Sequence, residues 1–228
     1  MTIAHIASTF RDSTGGSSTT TAAIDTTGAD LIVVAIPRYV PGTAPTPSDS
    51  KGNSWTPLTL YSDSSYGVRL YYSVPTTVGS GHTFTATGAD SFAAIGAVAV
   101  SGAHATPFGN ENGAVDGTGG NSFQPGSITP PEDDCLVITA LAMDDNAGTN
   151  VISIDGSYTE LTDSGQMGGG MGYWIQTTAT ATNPTWSWTG TTEFTAATVA
   201  SFKPAGGGGS GMAGYFIGGG FLGGRCFG

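Results

Sequence analysis

Short apolar segments follow one another along the chain, separated by polar turns. The segments are rich in Val, Ile, Thr and aromatic residues, none repeats with the period of a helix, and Gly, Pro, Asn and Asp mark the turns between them. Twelve strands are predicted, near residues 2–10, 18–26, 30–37, 54–61, 67–74, 82–87, 92–101, 134–143, 157–163, 170–178, 184–189 and 194–203. Their number and spacing predict an all-β fold, a jelly-roll-like β-sandwich.

The pattern of segments occurs twice. "ADLIVVAI" from Ala29 returns as "DDCLVITA" from Asp133, and "TFTAT" from Thr83 returns as "TWSWT" from Thr185. Six such blocks recur in the same order at offsets of 102 to 104 residues, which predicts two pseudo-repeats over about 14–102 and 118–204. The joining stretch "SGAHATPFGNENGAVDG" is predicted to be a loop. One sandwich domain over 1–204 is favoured over two small sandwiches, because pairing of the first and last strands would cover sheet edges.

Composition narrows the class of protein. Only 10% of the 228 residues are charged, and the formal net charge is −11. Six Lys and Arg residues scattered along such a chain argue against nucleic acid or a membrane as partner. The first ten residues alternate like a strand and lack the basic and apolar regions of a signal peptide, so none is expected.

The composition changes abruptly after Pro204. The tail, residues 205–228, has glycine at 12 of its last 23 positions, and its apolar residues occur in clusters between the glycines. It is too short and too interrupted to span a membrane as a helix. We expect the tail to anchor the chain in an assembly with copies of itself or other subunits, because glycine lets backbones approach closely while aromatic side chains are buried. The predicted anchoring residues are Tyr215, Phe216, Ile217, Phe221, Leu222, Cys226 and Phe227.

The two cysteines lie in unlike surroundings, so they do not indicate a disulfide framework. Cys135 lies in the apolar segment "DCLVITALA" and is predicted to be a small buried side chain. Cys226 lies in the tail, where it is either an unpaired thiol or a crosslink to another chain.

The stretch "SDSKGNSWTPLT", residues 48–59, resembles a functional loop more than any other. Asp49, Gly52 and Asn53 suit a metal loop, a sugar-binding loop or a turn. The corresponding stretch of the second repeat, "ISIDGSYTEL", keeps an Asp-Gly pair before an aromatic strand but has fewer oxygen ligands. Because turn chemistry is what both copies share, we interpret the stretch as a turn that starts a core strand. "MDDNAGTN", residues 143–150, is a second acidic loop without the spacing of a calcium site.

No catalytic constellation is evident in the sequence, and neither a cofactor nor a metal is predicted. His5, His82 and His104 are far apart, and there is no G-x-S-x-G motif around a nucleophilic serine. The expectation is therefore a protein that is not an enzyme. A hydrolase such as a depolymerase is the third class considered, and it would require an acidic pair in a groove.

Exposed aromatic residues are the remaining binding feature. Trp186 and Trp188 lie two positions apart on one face of a predicted strand, where they are possible glycan contacts. Their equivalents in the first repeat are Phe84 and Ala86, which indicates that this face belongs at least partly to the core.

Several segments together resemble a family of all-β domains found in bacteriophage virion proteins and bacterial surface or secreted proteins. The segments "GADLIVVAI", "DSKGNSWTPL" and "TAATVASFKPA" correspond to the "GDLLVVAVS" strand, the "DSxGNxW" turn and the closing "VAxF" strand of that family. The resemblance covers about residues 14–204 and brings no catalytic residues with it. It implies a phage structural protein of the virion surface, made in the host cytoplasm, that decorates the capsid or forms a small fibre or tail-surface subunit. The alternative is a carbohydrate-binding or adhesin module.

Overall fold

The computed structural model describes residues 1–13, 15, 18–39, 45–87, 92–144, 150–162 and 169–206, and within these ranges the regular structure consists of β-strands. The strands, numbered in chain order, are β1 (Ala4–Arg11), β2 (Ser18–Thr20), β3 (Leu31–Tyr39), β4 (Thr46–Asp49), β5 (Thr56–Ser62), β6 (Tyr66–Ser73), β7 (Phe84–Thr87), β8 (Phe92–Ala93), β9 (Ile95–Ser101), β10 (Ala103–Val115), β11 (Ser122–Phe123), β12 (Cys135–Met143), β13 (Val151–Ile154), β14 (Thr159–Leu161), β15 (Gly170–Gln176), β16 (Trp186–Thr189) and β17 (Thr195–Pro204). The described residues contain no helix long and apolar enough to cross a membrane.

The strands form four antiparallel sheets. One large sheet has the order β1-β9-β3-β6-β5, with the short β8 also paired to β3, and the other has the order β10-β17-β12-β15-β14. Two small sheets have the orders β2-β7-β4 and β11-β16-β13. Each half of the chain, before and after residue 102, thus supplies one large and one small sheet. The all-β, sandwich-like fold predicted from the sequence is confirmed. The expected pairing of the first and last strands is wrong, because β1 pairs with β9 and β17 pairs with β10 and β12.

The sheets stack in four layers, with the two large sheets in the middle. Strand β3 shows why its sequence is apolar at nearly every position. Leu31 and Val33 lie in a core shared with the second half of the chain, whereas Ile32 and Val34 lie in the core beneath the small sheet of their own half. Successive side chains of a strand point to opposite faces, so a strand buried on both faces loses the apolar–polar alternation of a surface strand.

Strand β12 has the same double burial in the second half. Leu136 and Ile138 join the central core, whereas Leu141 packs with Trp186 and Trp188 beneath the second small sheet. The central core therefore belongs to both halves, and each outer core belongs to one.

Close approach between the halves depends on small residues. A side chain at Gly113 of β10 would meet the ring of Tyr61 at 2.4–2.6 Å, and one at Gly96 of β9 would meet Phe10 and Met171. The glycines make room for these larger neighbours where the large sheets face each other.

One predicted loop is a strand. The stretch that joins the halves contains β10, Ala103–Val115, the longest strand in the described ranges. Its polar "GNENG" sequence resembles a loop, but β10 is an edge strand that pairs with β17 and has irregular register on both sides of Phe108. Backbone pairing with an apolar neighbour, which local sequence does not reveal, makes it a strand. Strands β4, β11 and β13 were likewise not predicted, and the segment predicted over 18–26 is a strand only at Ser18–Thr20.

Cys135 is fully buried at the start of β12, and this burial raises the pKa of its thiol to about 11. At pH 8 only about one thousandth of such a thiol is the reactive thiolate. In a Cys226→Ser variant, we expect a disulfide reagent such as DTNB to label no thiol in the native protein and one thiol after denaturation. Rapid native labelling would show that the start of β12 opens to solvent.

Candidate functional site

The stretch around Asp49 forms a polar cluster that is enclosed by the first half of the chain. Asp49 is the last residue of β4, and its carboxylate accepts five hydrogen bonds. The donors are the backbone N–H of Lys51 (2.8 Å) and of Asn53 (3.1 Å), the side chain of Asn53 (3.2 Å), the indole of Trp55 (3.1 Å) and the imidazole of His82 (2.9 Å). Gly52 has a φ of +76°, which the tight turn between these donors requires. The predicted turn, with Asp49 bonding its own backbone, is confirmed.

His82 extends the cluster away from the turn. Its Nε2 donates to Asp49 Oδ1, and its Nδ1 lies 2.9 Å from the hydroxyl of Thr26. When the ring is neutral, this arrangement makes Nδ1 an acceptor from Thr26. The imidazole also stacks on Phe84, with ring centroids 4.4 Å apart. The side chains of Asp49 and His82 are both 0% exposed, so the row of three polar groups is enclosed at its centre.

Asn53 and Thr26 connect the cluster to the loop that precedes β7. Asn53 accepts from the backbone N–H of Thr76 and of Thr77, and its amide donates to the carbonyl of Thr77 at 3.0 Å. The Thr26 hydroxyl accepts from the N–H of Gly79 at 3.1 Å. Three separate loops are thereby held together by one carboxylate and its neighbours.

The row of Asp49, His82 and Thr26 has the residue types of a hydrolytic triad but not its accessibility. A catalytic hydroxyl must reach a substrate, whereas Thr26 is 0% exposed and hydrogen-bonded to Gly79. Buried polar groups that satisfy one another fix a single packing arrangement, since any shift would leave a donor or acceptor unpaired. The arrangement is therefore suited to stabilising the fold.

The second half has a different arrangement at the corresponding turn. Asp49 lies opposite Phe84 in the pairing of β4 with β7, whereas the apolar Ile154 lies opposite Trp186 in the pairing of β13 with β16. Asp155 follows, and its carboxylate accepts from the N–H of Thr185 at 2.7 Å. The Asp-Gly pair thus makes a turn there, and the enclosed polar cluster belongs to the first half.

The predicted glycan contacts at Trp186 and Trp188 are wrong. Trp186 is 0% and Trp188 is 4% exposed, because this face of β16 covers the outer core of the second half. Trp186 donates its indole N–H to the hydroxyl of Thr139 at 3.0 Å, which satisfies the one polar atom of the buried ring. Neither ring is available to stack on a sugar.

The other predicted sites are placed as follows. The tail residues from Tyr215 to Phe227 lie outside the described residues, as do Asp145 and Asn146 of the acidic loop. Within the described ranges no group of three or more His, Cys, Asp or Glu residues could hold a metal ion. His5 stacks on Tyr173 with centroids 4.7 Å apart, and His104 bonds Thr106.

His82 and Thr26 are the site residues that sequence reasoning missed. In the sequence, His82 is 33 residues from Asp49 and belongs to no motif. The pairing of β4, which ends at Asp49, with β7 brings the two residues together. The one available signal was that His82 lies two residues before β7 begins.

Comparison of the chain with protein-family models, curated proteins and solved structures found no match.

Proposed function

We propose that the chain is a non-enzymatic structural protein of a bacteriophage particle, either a capsid decoration protein or a small fibre or tail-surface subunit. The observation that carries this proposal is that the polar cluster around Asp49 is enclosed within the fold. The residues that most resemble catalytic groups are enclosed, hydrogen-bonded to one another and committed to holding three loops together. The resemblance of the "DSKGNSW" turn and its flanking strands to virion domains supports the same proposal.

We further infer that the fold arose by duplication of one sandwich unit. If the short β8 is omitted, the first large sheet has the first, last, third, sixth and fifth strands of its half in that order. The second large sheet has the same order of its own strands. The small sheets also correspond, because β2-β7-β4 and β11-β16-β13 join equivalent strands. The repeated sequence blocks support the same correspondence. A duplicated unit supplies a stable body with two similar outer faces, which suits a particle component.

The Gly-rich tail is proposed as the anchor to neighbouring subunits and to other copies of the chain. Strand β17 ends at Pro204, and the carbonyl of Ala205 accepts a hydrogen bond from the amino group of Met1 at 2.7 Å. The sandwich therefore ends at a defined point, where the tail begins. The proposed contacts are Tyr215, Phe216, Ile217, Phe221, Leu222 and Phe227, with Cys226 as a crosslink.

Deletion of residues 206–228 tests the anchor. We expect the truncated protein to keep its strand content and thermal midpoint, because the residues it loses follow the last strand, while its incorporation into particles falls to background. Circular dichroism and quantitative mass spectrometry of purified particles measure the two results.

A second variant separates the length of the tail from its chemistry. Replacing the six proposed apolar contact residues of the tail by serine keeps its length and glycines, and should abolish incorporation as deletion does. Incorporation of the truncated protein at the wild-type level would contradict the anchor proposal.

The alternative function is a carbohydrate-binding or adhesin module. Trp186 and Trp188 are not its sugar contacts, because both are buried.

A further inference from the structure

A surface cleft of about 430 Å³ lies where the two halves of the chain meet. The first half contributes the ends of β5 and β6, including Thr56 and Tyr72, which are cross-strand partners. The second half contributes the irregular part of β10 with Phe108, and Lys203 of β17. The volume is in the range of small-ligand sites. An irregular edge strand is also a frequent location of binding residues, because a bulge redirects side chains.

The cleft has an aromatic wall. The rings of Tyr72 and Phe108 are nearly parallel, at an interplanar angle of 10°, and their centroids are 6.4 Å apart. Phe202 supports both rings from the core by edge contacts at 5.7 and 6.5 Å. Tyr72 and Phe108 are only partly buried against the core, so each retains ring surface outside it. Because these rings are already held in place, a ligand that packs on their apolar surface does not have to order them, and binding costs little conformational entropy.

The remaining lining is apolar at Val74, Ala105 and Pro107, and its polar part has hydrogen-bonding capacity to spare. The side chains of Ser54, Thr56, Tyr72 and Lys203 make no hydrogen bond to another described residue. Among the described residues that line the cleft, Lys203 is the only charged one, although the chain as a whole has a formal net charge of −11. A cation that lines the same cleft as several hydroxyl groups favours a ligand that is anionic and rich in hydroxyls.

We propose that this cleft binds one unit of an acidic saccharide. The C–H face of the sugar ring packs on Tyr72 and Phe108, its carboxylate pairs with Lys203, and Ser54 and Thr56 bond its hydroxyls. An adjoining hollow of about 290 Å³, which shares Val74 and Ala105 with the cleft, gives room for the next unit of a glycan chain. The site is distinct from the buried tryptophans of β16 and does not depend on the proposed assembly role.

The test uses the full chain and sugars that differ in one group. Methyl glucuronide and methyl glucoside differ in the carboxylate alone, and the methyl glycosides of galacturonic and N-acetylneuraminic acid extend the acidic set. Saturation-transfer NMR and titration of the protein resonances at millimolar sugar measure binding. We expect saturable binding of at least one acidic sugar, with shifts at Tyr72 and Phe108, and weaker binding of its neutral counterpart.

Two variants test the role of the charge. Lys203→Gln should weaken binding of the acidic sugar by at least about tenfold and leave the neutral sugar unchanged, because it removes one charge-assisted contact. Thr106→Glu, at an exposed position on the cleft wall, should weaken it similarly by repelling the carboxylate. The matched control is Lys51→Gln, which makes the same change in net charge at a lysine bonded to the carbonyl of Ser80 outside the cleft.

Three results would overturn the proposal. They are the absence of saturable binding for all the acidic sugars, equal binding of the acidic and neutral partners, and equal loss of binding in the Lys51 and Lys203 variants. Thermal melting of each variant shows that a loss of binding is not a loss of fold. Because particle incorporation is not measured in this test, its failure leaves the anchor proposal standing, and failure of the anchor leaves the cleft proposal standing.

Discussion

Asp49→Ala should destabilise the protein more than any other single substitution of an acidic residue in the first half. The change removes an acceptor of five hydrogen bonds and leaves the buried imidazole of His82 and the indole of Trp55 without the partner they have in the native protein. Loss of one partner from a buried, satisfied polar group costs more than the bond itself, so we expect a decrease of about 3–5 kcal/mol in the free energy of unfolding. Urea denaturation followed by tryptophan fluorescence measures it.

The second half supplies a matched control for this variant. Asp155→Ala removes an aspartate from the corresponding turn, where the carboxylate is exposed and accepts from Thr185. Its expected cost is about 1 kcal/mol, because water replaces the lost acceptor for an exposed N–H. Equal costs for the two alanine variants would contradict the role assigned to the cluster. The cost of Asp49→Asn should lie between these two values. The side chain keeps one oxygen as an acceptor, but its amide group is placed against other donors.

Separation of the two halves should have the second large effect. When residues 1–102 and 103–204 are expressed alone, each fragment exposes one face of its large sheet, the face that carries Leu31 and Val33 in the first and Leu136 and Ile138 in the second. An apolar sheet face of this kind associates in water. We therefore expect each fragment to aggregate or self-associate, and the two co-expressed fragments to form a soluble one-to-one complex.

Analytical ultracentrifugation distinguishes these outcomes. A soluble monomer of either fragment with native-like strand content would show that the central core is dispensable, which contradicts the four-layer arrangement. A helpful comparison is Gly113→Val in the intact chain, because a side chain there collides with the ring of Tyr61 between the halves. That variant should weaken the same interface without exposing it.

Much of the fold was predictable because strand-forming residues and turn residues alternate so regularly. Continuous apolar segments such as "LIVVAI" of β3 indicated strands buried on both faces, and the structure places them in the middle layers. Strand β10 was missed for a physical reason. Its polar residues form a strand because they pair with β17, and that pairing is set by residues about 90 positions away in the chain.

The candidate site was predictable only in part. The turn chemistry of Asp49 and Gly52 is local, so sequence comparison between the halves identified it. The partnership of Asp49 with His82 is not local, because it depends on the register of β4 against β7. The error at Trp186 and Trp188 has a related cause. Alternation showed that both rings share a face, but whether that face is covered depends on the sheet that lies over it.

The strand-rich fold, the acidic net charge and the turn that begins at Asp49 follow from residue type and short-range spacing alone. Which strand faces are buried, which polar groups meet, and where the halves leave a cleft between Tyr72 and Lys203 depend on how the sheets pack. Contacts of this kind join residues far apart in the chain. They are selected by the packing of whole sheets, for which no single segment carries the information.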